Sequence, residues 1–419
     1  MVGWEFPPFT SGGLGVHCRY LTEALAQHGV DVTFFMPPTN CAIDAPWMKC
    51  VKVSSVSSMT LGEFLKFNSY SMASALKYTV SGGKIAFSMV LDKAYGKEFF
   101  EAVNTYNTAA AAAVVEEHAK EPFNVIHCHD WITTSAGLLA KRATNLPLVI
   151  TMHSSEFDRS ACLNPTPWIL ELEKMGVRNA DAIIAVSGIM REQLAAELGL
   201  DKRKTHVVYN ATPLMLPPAP KRETRFWWKH VVLCHGRLSI QKGADYFLRA
   251  VRKVASHRPD ALFVVSGTGA FLPALVELAT ALGVEDRVMF LGNVPQEKLS
   301  TLYNCCDVFV LPSVREPFGI TALEAMHFGK PVVISKTAGA CEMGDGMFPV
   351  DFWDVDKLAH TVTMLLDDEQ LRAKAGEAAR RTAAGQKWFD RGGDTKAVYE
   401  QVLRENGENA IPSSIEVSS

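Results

Sequence analysis

Short apolar runs that alternate with longer amphipathic stretches are the feature that most limits what this sequence can fold into. Each run ends at a glycine or a polar residue, and a stretch long enough for a helix usually separates it from the next. Strands that alternate with helices of about 10–15 residues build βαβ units and hence a parallel, doubly wound α/β sheet. The predicted strands form a first series at 31–37, 124–129, 148–152, 182–186 and 206–209, and a second series at 231–234, 262–265, 288–291, 308–312 and 331–334.

The length of the chain and its proline-rich middle predict two domains. The 419 residues are many for one hydrophobic core and suit two domains of about 200 residues each. A linker at 211–230 contains four prolines in its first half and separates the two series of strands. We therefore predict a first Rossmann-like domain over 1–212, with an insertion at about 41–96, a second over 213–386, and a flexible tail at 405–419.

Composition argues against several functional classes. A net charge of -3 and the lack of a long basic run argue against binding to nucleic acid. No apolar run reaches the roughly 18–20 residues that span a bilayer, and no secretory signal is visible. Nine scattered cysteines without a C-x-x-C pair indicate a reducing compartment. We expect a cytoplasmic protein without stable membrane insertion. Because a full first strand would need more than residues 1–3, we also expect that the native start lies upstream or that this strand is frayed.

The segment 315–326, which follows a predicted strand, carries the densest set of candidate binding groups. Pro317 favours an extended conformation for Glu316, so we expect that carboxylate on the loop. Gly319 would let a ligand approach the backbone where a helix begins, and Glu324 lies just over one turn into this helix. Unpaired helix amides suit a diphosphate, and carboxylates suit sugar hydroxyls. The alternative is a strand–loop–helix connection with two ordinary surface glutamates.

Further candidates follow other predicted strands, whose carboxyl ends share one edge of a parallel sheet. Arg237 and Lys242 flank a strand-to-helix loop and can converge on an anion; a solvated surface pair is the alternative. His153 and Asp130 follow two strands of the first series, although a histidine there is often only a structural hydrogen-bonding group. The glycine loop 11–15 precedes a helix and suits a phosphate, or is simply a tight turn.

A metal site is not expected. His127 and His129 share one face of their predicted strand, and Asp130 follows them. No further set of ligands is spaced to complete a coordination shell, and no Asp-x-Asp triplet is placed to hold a divalent ion.

Taken together and in this order, the motifs resemble those of a known family. They are similar to the two-domain GT-B retaining glycosyltransferases, and most similar to the bacterial and archaeal glycogen (starch) synthases. The resemblance covers nearly the whole chain and implies two Rossmann-like domains that face each other across a cleft. It also implies a final helix, at 387–404, that crosses back to the first domain. The motifs are 11–15, 127–131, 153–159, 236–243 and 316–324.

The resemblance also implies roles for individual residues. Arg237 and Lys242 would bind the diphosphate. His153, Asp130 and Glu316 would contact the donor sugar, and Glu324 would bind the ribose. The implied catalytic residues are His153, Arg237, Lys242, Glu316 and Asp130. The implied donor-binding residues are Gly12, Gly13, Gly15, Asn210, Gly267, Phe318, Gly319, Ile320 and Glu324.

The implied activity is transfer of glucose, with retention of anomeric configuration, from ADP-glucose or UDP-glucose to the non-reducing end of an α-1,4-glucan, without a metal or other cofactor. Ser11 departs from the lysine of starch synthases and many bacterial glycogen synthases, so the choice of nucleotide stays open. A related enzyme of surface polysaccharide or glycolipid synthesis and an epimerase-like protein that binds a nucleotide sugar are alternatives. The sequence leaves open whether the protein is a homo-oligomer.

Overall fold

A parallel sheet dominates the first half of the protein. The computed structural model describes residues 1–9, 13–39, 42–53, 76–81, 84–89, 97–212 and 228–407. In chain order the strands of this half are β1 (Thr33–Met36), β2 (Lys49–Lys52), β3 (Leu76–Ser81), β4 (Lys84–Met89), β5 (Ile126–His129), β6 (Leu148–Met152), β7 (Ala182–Ala185) and β8 (Thr205–Val207). Strands β5 to β8 pair in this order and β1 pairs with β2, all in parallel, whereas β3 and β4 form an antiparallel hairpin.

The first residues of the chain join the two parts of this sheet. Val2 forms one parallel bridge to Phe35 of β1 and another to Cys128 of β5. The N–H of Val2 donates to the carbonyl of His127 at 2.8 Å, and the side chain of Val2 is fully buried. The segment that we expected to be frayed therefore occupies the centre of the sheet.

Strand β2 differs from the sequence-based expectation. It lies inside the interval 41–96, which we predicted to be an insertion over the domain, yet the structure pairs it with β1 at the edge of the sheet. Its side chains are exposed at both ends and half-buried between them. An edge strand of this kind has no continuous apolar run, so the signal that marks the buried strands does not reveal it.

Helices cover the first sheet and begin and end at recognisable signals. They are α1 (Gly13–Gln27), α2 (Lys97–Lys120), α3 (Trp131–Thr144), α4 (Glu156–Arg159), α5 (Pro167–Asn179) and α6 (Gly188–Leu198). Helix α6 shows the pattern, since the hydroxyl of Ser187 accepts the N–H of Met190 and Gly199 ends the helix in a left-handed conformation. A one-turn 3₁₀ helix, Lys202–Lys204, precedes β8.

A second parallel sheet dominates the other half. Its strands are β9 (His230–His235), β10 (Ala261–Ser266), β11 (Val288–Gly292), β12 (Val308–Leu311), β13 (Val332–Ser335) and β14 (Met347–Val350). The spatial order is β11-β10-β9-β12-β13-β14, and all pairs are parallel. Every residue of β10, β12 and β13 is buried, which explains why these strands are continuous apolar runs.

The helices of the second half are α7 (Ala244–His257), α8 (Leu272–Leu282), α9 (Gln296–Cys305), α10 (Ile320–His327), α11 (Val355–Asp367), α12 (Glu369–Ala384) and α13 (Trp388–Glu405), with 3₁₀ turns at Ile240–Lys242 and Gly339–Met343. Over the ranges that the structure describes, no helix is both long and apolar enough to cross a membrane. Two parallel-sheet α/β units are the architecture that the alternating pattern predicts, and this prediction is confirmed.

The final helix, α13, packs on the first half of the protein. A Cβ atom at Gly392 would lie 2.8 Å from the backbone of Ala24 in α1, so the two helices are in close contact there. The Nζ of Lys396 donates to the carbonyl of His28 at 3.0 Å. The buried rings of Trp388 and Tyr399 lie in one apolar cluster with side chains of α1, β6 and β7. Helix α13 therefore completes the core of the first sheet.

Candidate functional site

A cavity of about 370 Å³ lies between the two sheets. The carboxyl ends of β9, β10 and β12 supply most of its lining, and α1 and the loops after β6 and β8 supply the rest. Open α/β sheets bind ligands at the carboxyl ends of their strands, so this is the expected place for a site. Ten of the predicted site residues line it: Gly13, His153, Asn210, Arg237, Gly267, Lys242, Glu316, Phe318, Gly319 and Ile320.

The start of helix α10 forms one wall of the cavity. Gly319 precedes the helix with φ +103°, and a Cβ atom there would lie 2.9 Å from Cδ2 of Leu311 and 3.3 Å from Cγ of Glu316. Only glycine fits this backbone without strain. The first N–H groups of a helix have no partner within it and carry partial positive charge, so the beginning of α10 suits an anion.

An ion pair lies beside this helix end. The Nζ of Lys242 donates to Oε2 of Glu316 at 2.6 Å, and the hydroxyl of Ser313 donates to the same oxygen at 3.0 Å. The carboxylate is buried, whereas the lysine side chain is 27% exposed toward the cavity. The turn that carries the lysine ends at Gly243, where a Cβ atom would overlap the carbonyl oxygen of Pro312. Close contact with the end of β12 therefore fixes the position of the cation.

Glycines also bring the loops after β9 and β10 together. Gly267 has φ +125°, and a Cβ atom there would overlap the carbonyl oxygen of Gly236. The N–H of Leu238 donates to the carbonyl of Thr268 at 2.9 Å. This backbone contact positions Arg237 in the wall of the cavity, in the same connection between β9 and α7 that carries Lys242.

Asp130 holds the loop that carries His153. Its Oδ1 accepts the N–H of His153 at 2.6 Å and the N–H of Ser154 at 3.3 Å. Asp130 is 2% exposed, has φ +58° and is not among the residues that line the cavity. These contacts position the loop, and the catalytic role that the resemblance implies for Asp130 stays a prediction. Burial lowers the pKa of His153 to about 3, so this imidazole is neutral.

Sequence reasoning missed His17, which belongs to the same region. His17 is buried in α1, and its Nδ1 lies 2.7 Å from Oδ1 of Asn210. The ring of His17 packs 4.3 Å from that of His153, and Nδ1 of His129 lies 3.1 Å from Nε2 of His153. Burial lowers the pKa values of His17 and His129 well below the ordinary value. A histidine on the apolar face of α1 was the only sequence signal.

Two predicted donor-binding residues, Glu324 and Gly15, do not line the cavity. Glu324 is buried in α10 and does not line the cavity; its Oε2 accepts the hydroxyl of Tyr303 at 2.6 Å. Burial raises the pKa of Glu324 to about 7. Gly15 is buried within α1 and also lies off the cavity lining. Gly12 lies outside the described residues, so its predicted role stays a prediction.

Contacts between the two halves hold the cleft in its observed form. Arg315 donates from Nε to Asp158 at 2.8 Å and from Nη1 to Glu197 at 2.7 Å. The hydroxyl of Ser187 donates to the carbonyl of Pro317 at 2.6 Å. The carboxylate of Glu342 accepts the first two N–H groups of α6 at 2.8 and 2.7 Å. The contacts of Arg315 and Pro317 connect the loop that carries Glu316 directly to α4 and α6 in the first half.

Two family profiles match the chain. The profile of Glycosyl transferases group 1 matches residues 221–382, and that of Glycosyltransferase Family 4 matches residues 90–216. An uncharacterised glycosyltransferase of Methanocaldococcus jannaschii is 30% identical over 82% of this chain and 81% of its own length.

Two relatives with assigned activities are more distant. The D-inositol 3-phosphate glycosyltransferase of Mycolicibacterium smegmatis is 28% identical over 88% of this chain and 83% of its own length. A glycogen synthase of Mycobacterium tuberculosis is 26% identical over 91% of this chain and 89% of its own length.

Solved structures share the fold over nearly the whole chain. Sucrose-phosphate synthase of Thermosynechococcus elongatus has a TM-score of 0.74 at 20% identity and covers 96% of this chain and 98% of its own. Starch Synthase IV of Arabidopsis thaliana, bound to ADP and acarbose, has a TM-score of 0.66 at 16% identity, with 96% and 98% covered. Anabaena HepE in complex with UDP and glucose has a TM-score of 0.64 at 18% identity, with 97% and 98% covered.

Two parallel-sheet units with a cavity between them, a helix N-terminus and two cations in its wall define a GT-B glycosyltransferase. With the relatives described above, the chain belongs to the group 1 glycosyltransferases. The predicted fold is thereby confirmed, and so is the prediction that the protein is a glycosyltransferase.

Proposed function

We propose that this enzyme transfers glucose from ADP-glucose or UDP-glucose to the non-reducing end of an α-1,4-glucan in the cytoplasm, with retention of anomeric configuration. One observation carries the proposal: the Lys242–Glu316 pair lies beside the N-terminus of α10 in the cavity that His153 lines from the other sheet. A glycogen synthase among the relatives, and a starch synthase bound to ADP and acarbose among the structures of the same fold, support the choice of acceptor.

In the proposed complex the second sheet binds the donor. Arg237, Lys242 and the first amides of α10 hold the diphosphate, because cations and a helix N-terminus both favour negative charge. The carboxylate of Glu316 accepts hydroxyl groups of the donor sugar. Glu324 reaches the ribose once the hydroxyl of Tyr303 gives way to a ligand hydroxyl.

The Lys242–Glu316 pair changes partners when the donor arrives. Without a donor, the ammonium group neutralises the carboxylate at 2.6 Å. The donor places its phosphate near the lysine and its sugar hydroxyls near the glutamate, so each charge finds a new partner within the cavity. In the empty enzyme, this pairing gives each of the two partly buried charges an opposite charge beside it.

The transfer step then needs only groups that are already in the cavity. The bond between the anomeric carbon and the phosphate oxygen breaks, and negative charge grows on the leaving phosphate, where Arg237 and Lys242 stabilise it. The acceptor hydroxyl attacks the same face, forms the new glycosidic bond and gives its proton to the leaving phosphate. Two cations and a helix end offset the diphosphate charge, so the proposed reaction uses no divalent metal.

Nucleotide release tests this proposal directly. The protein is incubated with ADP-glucose or UDP-glucose, each with and without glycogen, and both free nucleotide and radiolabelled polymer are measured. Release that depends on glycogen, together with label in the polymer, supports glucan synthesis and identifies the donor. Release without any extended glucan, including short maltooligosaccharides, refutes the acceptor and directs the search to surface polysaccharide or glycolipid acceptors. Release without any acceptor indicates epimerase-like chemistry.

A second acceptor class deserves the same assay. The relative that acts as a D-inositol 3-phosphate glycosyltransferase is slightly more similar to this chain than the glycogen synthase is. A small phosphorylated polyol is therefore the second candidate acceptor. Nucleotide release that depends on inositol 3-phosphate and not on glycogen would favour it.

A further inference from the structure

Three histidines from separate segments form a buried cluster beside the cavity. His17 belongs to α1, His129 ends β5, and His153 follows β6. One imidazole nitrogen of each lies within 4.8 Å of the others. His17 is 4% exposed and His129 is fully buried, whereas His153 is partly exposed and lines the cavity. Solvent and small ions can therefore reach the cluster from the cavity.

Two nitrogens of the cluster have no hydrogen-bond partner within the described part of the chain. They are Nε2 of His17 and Nε2 of His129, and both are buried. Because Nδ1 of His17 faces Oδ1 of Asn210 at 2.7 Å, that nitrogen carries the proton and Nε2 keeps its lone pair. A buried acceptor without a partner is unfavourable, because it has lost its hydrogen bonds to water. An electron-pair acceptor bound between the rings would give Nε2 of His17 a partner.

We propose that His17, His129 and His153 form a binding site for a transition-metal ion of the Zn²⁺ type. Neutral imidazole is a preferred ligand of Zn, Cu and Ni. Nδ1 of His129 and Nε2 of His153 are 3.1 Å apart, close to the roughly 3.3 Å between two nitrogens around a tetrahedral Zn²⁺ with bonds of about 2.0–2.1 Å. The ligand nitrogen of His17 lies within 4.8 Å of the other two. A shift of the His17 ring by at most about 1.5 Å would therefore bring this nitrogen to the same spacing of roughly 3.3 Å.

The site has an open position and shares one residue with the proposed donor site. Three protein ligands leave a fourth position for water or a hydroxyl group, and it faces the cavity because His153 lines the cavity. A bound metal would hold the His153 ring, so metal and sugar nucleotide should compete. This competition rests on the proposed function, whereas metal binding itself does not. Sequence spacing did not indicate the site, because His17 precedes His129 by more than a hundred residues.

Titration with Co²⁺, a spectroscopic substitute for Zn²⁺, tests the site. Metal-depleted full-length protein should bind one Co²⁺ per chain with the strong visible absorption of tetrahedral Co²⁺. His17→Gln and His129→Gln should each weaken binding at least tenfold, whereas His360→Gln, at an exposed position on α11, should not. Equal affinity of all four proteins would overturn the proposal.

A measurement on the unaltered protein covers the case in which a buried histidine variant fails to fold. X-ray absorption of the Zn²⁺-loaded protein should show imidazole nitrogens at about 2.0 Å. A shell of sulfur or carboxylate ligands would overturn the site. Addition of the sugar nucleotide that the enzyme uses should displace Co²⁺, and an unchanged Co²⁺ spectrum would overturn the competition.

Discussion

The buried carboxyl group of Glu324 should make stability depend on pH in a way that one substitution removes. Glu324 is 8% exposed, and its closest polar partner is the hydroxyl of Tyr303 at 2.6 Å. Burial raises its pKa from the ordinary 4.5 to about 7, because the charged form loses its hydration. The change that we propose is Glu324→Gln, which keeps the size of the side chain and cannot ionise.

The sign and size of the effect follow from proton binding. Between pH 4.5 and pH 7 the unfolded chain has lost the proton of Glu324, whereas the folded protein still holds it. The unfolded state therefore binds fewer protons, and stability falls as the pH rises through this window. Each tenfold change in proton affinity corresponds to about 1.36 kcal/mol, so the loss amounts to about 3 kcal/mol. The contribution is fully present below pH 4.5 and is lost above pH 7.

Urea unfolding of both proteins at several pH values between 4.5 and 8 measures this term. Other groups with raised pKa values, such as Glu173, occur in both proteins and cancel in the difference. The free energy of unfolding of the unaltered protein minus that of the variant should fall by about 3 kcal/mol across this range. A difference that does not change with pH would mean that Glu324 is ionised in the folded protein, and the reasoning would be refuted.

Three further predictions concern the cavity and the contacts between the halves. Lys242→Ala should lower the rate of nucleotide release by roughly 10²–10³, as removal of a donor to developing negative charge does elsewhere, and should also lower the melting temperature, because the buried Glu316 carboxylate loses its cation. Glu316→Gln should lower the same rate while the affinity for free nucleoside diphosphate, measured by calorimetry, changes little, because in the proposed complex Glu316 contacts only the sugar. Arg315→Ala leaves Asp158 and Glu197 without their cation and should cost about 3–5 kcal/mol, measured as a lower melting temperature.

The Lys242 and Arg315 variants each have a matched control. Lys357→Ala removes an exposed lysine on α11 and should leave nucleotide release unchanged. Arg381→Ala breaks an exposed pair with Glu377 and should change the melting temperature little. Near-normal release by the Lys242 variant would contradict the proposed role of that cation. If the Arg315 variant and its control have the same melting temperature, the contact between the halves contributes little to the stability of the folded protein.

The sequence predicted the strands of both sheets where burial is continuous. Strands β10, β12 and β13 are covered on both faces, so every position is apolar except the serine that ends β10 and β13, and the run is visible in the chain itself. Strand β2 was missed because an edge strand with exposed ends needs no such run. Residues 1–3 were expected to be the end of a first strand that is frayed or begins upstream, whereas Val2 bridges both neighbouring strands, which a single residue without periodicity does not reveal.

Within the site, the sequence by itself determined those features that depend on adjacent residues. Pro317 and Gly319 fix the backbone between β12 and α10 locally, so the placement of Glu316 on the loop and the start of the helix follow from neighbouring residues alone. The recurrence of polar residues after successive buried strands likewise follows from chain order, because parallel strands end at one edge.

Only the tertiary structure decided which distant side chains meet. The Lys242–Glu316 pair, the Tyr303–Glu324 hydrogen bond and the contact of Arg315 with α4 all depend on how the helices and loops pack. The same holds for the cluster around His17, which α1 brings to the ends of β5 and β6. Burial by that packing also sets the pKa values of Glu324 and His153, because desolvation depends on every atom around a group and not on its neighbours in the chain.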